Sequence, residues 1–453
     1  MIERFPYGRA PFWLCLSALC SGLLVLVTHG LGAAQKPDLV LELSAANHIV
    51  AYQHAAAVFE HRRGVRVGIE LVQSRALQTR LQNAMLAHTP VPELVEIGAT
   101  DIAFFTRGPL GDVGFVDLTE RLKREGLEDG LVKSRLSLWS SRGHVFALPH
   151  DVHPVMLAYR ADLLAGLGID PDSIQTWSDF VSLRTKVVKD LDGDGVIDRY
   201  LIDLPVGEGW GVEILLLQQG VSLFDERGRI AMNQQATVDT IFWYVHQVEG
   251  KDRIAVQCGW GQPLMKAMKD GLAVFYVVPD WRTHAIEMEA PNVAGLFKVM
   301  PLPAWTPGGR RTSTWGGSGL AITKGSKNVE LAWDFAKLLY FDRAELGLRY
   351  RYTSILPPLK DSWNLPELQE PSPFFRGQRI GAAYAALAPD VPADWSTPYK
   401  TRAEDRLNGV TLQAIAYFRE HGDDGLKAFI GRELAVKTAE VEELMNRNVL
   451  DKE

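Results

Sequence analysis

The chain has almost no cysteine. There are three residues, of which Cys15 and Cys20 stand in an N-terminal apolar stretch and only Cys258 lies beyond it. One thiol cannot form an internal disulfide, so the fold has to rest on its hydrophobic core. The motifs of several common chemistries are missing too. There is no GxSxG, no P-loop, no GxGxxG, and no HExxH among the eleven histidines. Gly316-Gly317-Ser318-Gly319 lacks the Lys-Ser/Thr that a phosphate loop needs. Nor is there an excess of positive charge: the formal net charge of −7 argues against nucleic acid and anionic membrane surfaces as partners. No internal repeat or low-complexity tract occurs, and beyond the first apolar stretch no run is long enough to span a bilayer.

That first stretch has an organisation of its own. Arg4 and Arg9 precede an apolar run from Pro11 to Leu31, and the small residues Gly32, Ala33 and Ala34 follow. This is the pattern of a secretory signal over residues 1–34, cut after Ala34, and it predicts a periplasmic mature protein. The run exceeds an ordinary signal core, which leaves an uncleaved anchor as the alternative. Cys15 and Cys20 each follow a leucine rather than a small residue, which argues against lipid attachment. Cleavage removes Arg4, Arg9 and Glu3 and takes the net charge from −7 to −8. At 453 residues the chain exceeds what a single core supports, so two lobes are expected.

The stretch most informative about organisation is His144–Arg160. Two apolar extended runs, Val145–Leu148 and Val155–Tyr159, are split by the polar segment Pro149–Pro154, whose prolines remove backbone donors. A strand leaving one sheet and entering another reads this way; so does a strand–loop–strand inside one domain. Upstream, strands at Leu39–Leu43, Val65–Leu71 and Pro92–Ile97 alternate with helices, one of them capped by Ser74, which predicts an α/β lobe with crossover connections. Downstream, helices are expected over Trp177–Lys189, Gly209–Gln219, Gln234–Glu249 and Gln262–Asp270. A hairpin is expected at Ser222–Met232 and strands at Leu272–Val278 and Leu296–Met300. Gly316, Gly317 and Gly319 open a second crossing before a strand at Leu320–Thr323. Helices follow at Lys327–Leu339 and Arg343–Tyr352, then a Pro-rich irregular segment from Leu356 to about Pro398. Helices at Ala403–His421, Gly425–Phe429 and Glu433–Arg447 end the chain.

Two groups of residues carry chemistry. In Asp190–Asp198, DLDGDGVID, acidic oxygens fall at positions 1, 3, 5 and 9 of a calcium loop, supplied by Asp190, Asp192, Asp194 and Asp198. The Val196 carbonyl stands at position 7, Gly195 at the sharp turn, and Ile197 where such loops pack inward. Position 12 is Leu201, so one ligand of a structural Ca2+ has to come from elsewhere, Asp203 or a distant carboxylate. The second group is aromatic. Trp210, Trp281, Trp305 and Trp315 stand near glycine, proline or polar residues, where flat apolar faces suit sugar rings; core packing is the alternative for each. His150-Asp151-x-His153 has the donors for a metal, but hydrogen bonding is the expected use on the crossing. No spacing singles out a glycosidase carboxylate pair.

Taken together, VFALPHDVHPVMLAYRADLLAGLGID with TWSDF, then MKDGLAVFYVVPDW, then STWGGSGLAITKGSKNVELAWDFAKLL resemble the sugar-type extracellular solute-binding proteins of ABC importers. The likeness runs, with gaps, from about Leu39 to the C-terminus. It implies a type II periplasmic-binding-protein-like α/β fold with two lobes, each discontinuous in sequence, closing over an interlobe cleft about a hinge. Carried over, the first lobe is residues 35–151 plus 318–356, the second 152–317 plus 357–453, with crossings at Pro149–Pro154 and Trp315–Leu320. The resemblance further implies ligand contacts from Asn47, His48, Asp101, His150 and Asp151, from Trp210, Asp280, Trp281 and Arg282, and from Trp315, Gly316 and Gly317, with Tyr350 and Arg351 as outer candidates. Asn47–His48 departs from the aromatic often found there. Function would be capture of a sugar or oligosaccharide by a monomer, without catalysis, and delivery to transmembrane subunits. A carbohydrate-active enzyme using a carboxylate pair and a calcium-dependent adhesion module are the alternatives.

Overall fold

The computed structural model describes residues 10–28 and 36–447, in two compact units divided in sequence between Asp38 and Leu39. In the first, helix α1 covers Ala10–Thr28. Arg4, Arg9 and the expected cleavage point after Ala34 lie outside the described residues. Among the described residues, no helix is long and apolar enough to cross a membrane.

The second unit is built on two five-stranded sheets. The strands of these two sheets, in chain order, are β1 (Leu39–Leu43), β2 (Val67–Leu71), β3 (Leu94–Gly98), β4 (Leu148–Pro149), β5 (Val155–Arg160), β6 (Tyr200–Asp203), β7 (Ala255–Val256), β8 (Ala273–Pro279), β9 (Phe297–Pro301) and β10 (Ser318–Ile322). The first sheet has the order β2-β1-β3-β10-β4 and the second β9-β5-β8-β6-β7. β1 pairs in parallel with β2 and β3, as the strand–helix–strand order requires, while β10 runs antiparallel to β3 and β4. Both sheets are covered on both faces. Val155, Leu157 and Tyr159 of β5 enter one core and Met156 and Ala158 the other, the alternation a strand imposes.

Helices needed below are α2 (Ile49–Arg63), α3 (Ser74–Leu86), α4 (Trp210–Gln218), α5 (Gln235–Val248), α6 (Asp280–Glu289), α7 (Arg343–Thr353), α8 (Ile380–Leu387), α9 (Lys400–His421) and α10 (Leu426–Arg447). Several expectations need correction. Gln73, not Ser74, caps α3, its side chain accepting from the Ala76 amide. The helix expected over Trp177–Lys189 is two short helices, Trp177–Ser182 and Arg184–Val187. Ser222–Met232 turns at Asp225–Arg229 as expected, the Asp225 amide donating to the Arg229 carbonyl (2.9 Å) and the Ala231 amide to that of Leu223 (2.7 Å), but its arms form one Phe224–Ile230 bridge rather than regular strands. α8 interrupts the Pro-rich segment, and the last two expected helices are one continuous α10. α9 and α10 supply Leu407, Val410, Ala414, Ile430 and Leu434 to the core beside β5.

The chain does leave one sheet at β4 and enter the other at β5, so His144–Arg160 is a crossing. The second crossing runs antiparallel beside it: the His150 amide donates to the Ser318 carbonyl (2.8 Å) and the Val155 amide to the Ser313 carbonyl (3.2 Å). A third pass runs alongside at Leu356, whose carbonyl accepts from the Val152 amide at 3.1 Å. His153 joins all three. Its Nε2 lies 3.1 Å from Asp151 and its Nδ1 2.6 Å from Asp280. Asp151 also accepts from the Ser318 amide (2.7 Å) and Arg135 (2.7 Å), and Asp280 from the Leu356 amide (2.8 Å). Arg135 in turn donates to Thr314 Oγ1 (2.8 Å) and the Gly316 carbonyl (3.0 Å). Gly317 is required here because a Cβ would stand 2.7 Å from Nη2 of Arg135.

All four charged side chains of this junction are buried. Burial disfavours a charged His153, but Asp151 and Asp280 outweigh it and push its pKa up to about 9. Burial likewise opposes ionisation of Asp151, yet His153 and Arg135 hold it well below the usual carboxylate range. Because the His153 value is raised above that of an unfolded histidine, about 6.5, its stabilisation is complete below that pH and is lost as pH rises through 9. Urea midpoints measured from pH 6 to 10 should fall across this window, and His153→Gln should remove that part of the fall. His153→Ala leaves two buried carboxylates without their cation and should cost about 3–5 kcal/mol in the same assay.

Candidate functional site

Beside the junction, four tryptophans meet. Trp210 opens α4 and Trp315 lies on the second crossing; their rings are parallel, 4.2 Å apart. Trp260 stands 5.8 Å from Trp315 and 6.3 Å from Trp210. Trp281 approaches Trp315 edge-on at 5.2 Å and donates its indole N–H to the Trp315 carbonyl. Glu208 accepts from the indole N–H groups of Trp210 (2.7 Å) and Trp260 (3.0 Å). Arg282 is buried against the group, its guanidinium 4.8 Å from the Trp260 ring and 5.7 Å from that of Trp315, with Asp203 at 3.6 Å. Rings fixed in this way present rigid apolar faces at little entropic cost on binding.

Trp210 and Trp315 line a cavity of about 310 Å³, at the small end of the roughly 300–1,000 Å³ typical of small-molecule sites. Ala99 and Thr100, just past the end of β3, form its first-sheet side; Glu213 of α4 and Lys400, Glu404 and Asn408 of α9 form the other. The two sides also touch beyond the cavity. Ser396 Oγ donates to the Ala99 carbonyl (3.2 Å), Ser137 Oγ to that of Asp394 (2.8 Å) and Arg107 to that of Pro398 (3.0 Å).

Of the residues expected to touch ligand, Trp210, Trp315 and Gly316 line this cavity and Trp281 braces Trp315. Asn47 is exposed before α2, and Asp101 lies half-buried near Ser74, its pKa raised by burial. The others serve elsewhere. His48 is buried, bonded to Glu96 at 2.9 Å and stacked 4.1 Å from His150, whose Nδ1 meets the Tyr52 and Tyr340 hydroxyls. Burial and the neighbouring His48 depress the His150 pKa. His48, Glu96 and His150 bring ligand atoms within 4.8 Å of one another. The two rings are parallel to within 9°, however, so their in-plane lone pairs do not converge on one ion, and the trio suits hydrogen bonding. Asp151, Asp280 and Gly317 belong to the junction, and Arg282 backs the tryptophans. Tyr350 of α7 is in the core beside β8, and Arg351 is a surface residue paired with Glu370 at 2.7 Å. Trp305 packs against Trp243 at 5.2 Å within the core.

Sequence reasoning missed Trp260, although it sits between Gly259 and Gly261, the same context that singled out the others. It also missed Lys400 and Glu404, whose spacing of four on a helix is that of an ordinary surface ion pair.

The aspartate loop is exposed and self-organised. Asp190 accepts from the amides of Gly193 (2.7 Å) and Gly195 (2.8 Å), Asp194 from Val196 (2.7 Å) and Asp198 from Leu191 (2.6 Å). The two glycine amides lower the Asp190 pKa. Gly193 and Gly195 have φ of 82° and 91°, which favours glycine at both turns. Oxygens of Asp190, Asp192 and Asp194 lie within 4.8 Å of one another, a donor set that fits a hard cation. Leu201 is buried within β6, and Asp203 does not complete the set: it is buried, accepting from the Cys258 amide at 2.9 Å and facing Arg282.

Residues 45–345 match the family described as bacterial extracellular solute-binding protein. An arabinooligosaccharide-binding protein of Bacillus subtilis is 26% identical over 344 residues, covering 74% of this chain and 77% of its own length. A lactose-binding protein of Rhizobium radiobacter is 24% identical over 287 residues, 62% and 64% of the two chains. In fold, the sugar-binding protein MalE from Xanthomonas citri is similar with a TM-score of 0.73 at 18% identity, over 90% of this chain and 99% of that one. The binding protein from B. animalis subsp. lactis in complex with beta-1,6-galactobiose is similar with a TM-score of 0.63 at 20% identity, over 90% and 96%. With the family match spanning well over half of its length and the two-lobed fold around a lined cleft, this chain belongs to the bacterial extracellular solute-binding proteins, which are binding proteins and not enzymes.

Proposed function

We propose that the protein is the receptor of an ABC importer that captures a saccharide between its lobes and presents it to the transmembrane subunits. The observation that carries this reading is the interlobe cavity, where the Trp210 and Trp315 faces adjoin the hydrogen-bonding groups of Thr100, Glu213, Glu404 and Asn408. Aromatic faces match the C–H faces of a sugar ring, and the polar groups match its hydroxyl rim. Relatives named for arabinooligosaccharide and lactose binding support a sugar of about oligosaccharide size. The protein works in the periplasm as a monomer, exported by the signal over residues 1–34, and ligand stabilises the closed arrangement by bridging the two sides.

Thermal denaturation of the mature chain against pentose and hexose oligosaccharides, polyols and sugar phosphates tests the reading. One saccharide class should raise the melting temperature; no shift anywhere in the panel would refute it. With the saccharide so identified, Trp315→Ala should weaken binding by about 2 kcal/mol, roughly 30-fold, in calorimetry.

The aspartate loop is proposed to hold Ca2+ through Asp190, Asp192, Asp194, the Val196 carbonyl and Asp198, in a structural role. Without a cation the clustered carboxylates repel within one tight turn. Chelation should lower the melting temperature, since an ion at a hundredfold excess over its dissociation constant stabilises by about 2.7 kcal/mol. Asp192→Ala with Asp194→Ala should reproduce the loss in calcium-containing buffer and leave saccharide affinity unchanged. A double variant of unaltered stability would reduce the loop to a solvated acidic turn.

A further inference from the structure

The far wall of the cavity has a charge arrangement that bears on which saccharides can enter; the inference rests on the saccharide-receptor reading. Lys400, the first residue of α9, is buried, and its ammonium forms an ion pair with Asp394. Glu213 of α4 lies 3.4 Å from the same ammonium and Glu404, one turn along α9, 3.8 Å from it. Asp394 is held by the Ser222 hydroxyl at 3.1 Å, and Asp405, 4.0 Å from exposed Arg402, stands at the rim. Four carboxylates and one ammonium therefore line the cavity, and among the described residues no other lysine, arginine or histidine does. Lys400 contacts Asp394, Glu213 and Glu404 together, and its single positive charge offsets only one of them, which leaves a surplus of negative charge beside Trp210 and Trp315.

Burial and the crowding of Glu213 push the Glu404 pKa up to about 8, and burial raises that of Glu213. The wall already takes up a proton to relieve its own surplus, so a further anion has no partner there. A carboxylic acid that keeps its proton donates a hydrogen bond, and an ionised neighbour accepts one, which is the pairing a sugar hydroxyl offers in return.

We propose that Glu213, Glu404 and Asp394 around Lys400 make the cleft selective for neutral saccharides, with hydroxyls bonded by Glu213 and Glu404, and against saccharides carrying a carboxylate, sulfate or phosphate. Aromatic stacking is indifferent to that distinction, so the discrimination belongs to this wall. The test compares the neutral oligosaccharide that raises the melting temperature with the same molecule oxidised at one primary hydroxyl to a uronate. Affinities are measured by calorimetry at pH 6.5. The uronate should bind at least about tenfold more weakly. In Glu213→Gln/Glu404→Gln the ratio of the two affinities should fall towards one, with folding checked by the melting temperature. If the double variant does not fold, Glu213→Gln alone, which removes the ionised member of the pair, should lower the ratio partway. Equal affinities in the native protein, tighter binding of the uronate, or an unchanged ratio in a folded variant would overturn the filter and leave the receptor reading standing. Failure of both neutral and acidic saccharides to bind would overturn the receptor reading and the filter with it.

Discussion

Most of the geometry depends on one buried cation, His153, held between Asp151 and Asp280. It stands where three passes of the chain run side by side, and each carboxylate is further pinned by a backbone amide from a different pass, Ser318 for Asp151 and Leu356 for Asp280. Buried ion pairs contribute little net stability compared with apolar packing, because desolvation offsets most of the attraction. They do demand a specific geometry. At a junction between two lobes that specificity is useful: it fixes where the passes cross while leaving the lobes beyond them to move as bodies. Trp315 and Gly316 follow directly from the same crossing, so the cleft wall is registered to the hinge.

The cleft is arranged so that ligand meets little that is soft. Each tryptophan is tied by its indole N–H or by packing: Trp210 and Trp260 to Glu208, Trp281 to the Trp315 carbonyl, and the group as a whole to the Arg282 guanidinium. Side chains held in this way lose little freedom on binding. The contacts across the cleft at Ser396, Asp394 and Pro398 are few and polar, a balance in which ligand contributes a decisive share of closure.

Much of the fold was legible because it rests on backbone pattern. The apolar run Val155–Tyr159 and the two prolines before it offered a change of sheet as one of two readings, and the three N-terminal strands declared a parallel order through their intervening helices. The site was legible only where composition departs from pattern. Trp210 and Trp315 stood out beside glycine, and the same rule covers Trp260. Side-chain direction was not legible. His48, His150, Asp151 and Asp280 are polar residues at strand ends, which in a binding protein face either ligand or hinge, and here they are sealed into the junction and the first-sheet core. Asp203 looked free to complete the aspartate loop, but its partner Arg282 lies almost eighty positions away. Lys400 and Glu404 look like any exposed helical pair until α9 is seen to pack across the cavity.

The central claim is that a saccharide bridges the two lobes and draws them together about this hinge. Small-angle X-ray scattering of the mature protein, with and without a saturating concentration of the saccharide that raises its melting temperature, addresses it most directly. The bound protein should have a smaller radius of gyration than the free one. An identical curve with and without ligand, at concentrations where calorimetry shows the site filled, would contradict it.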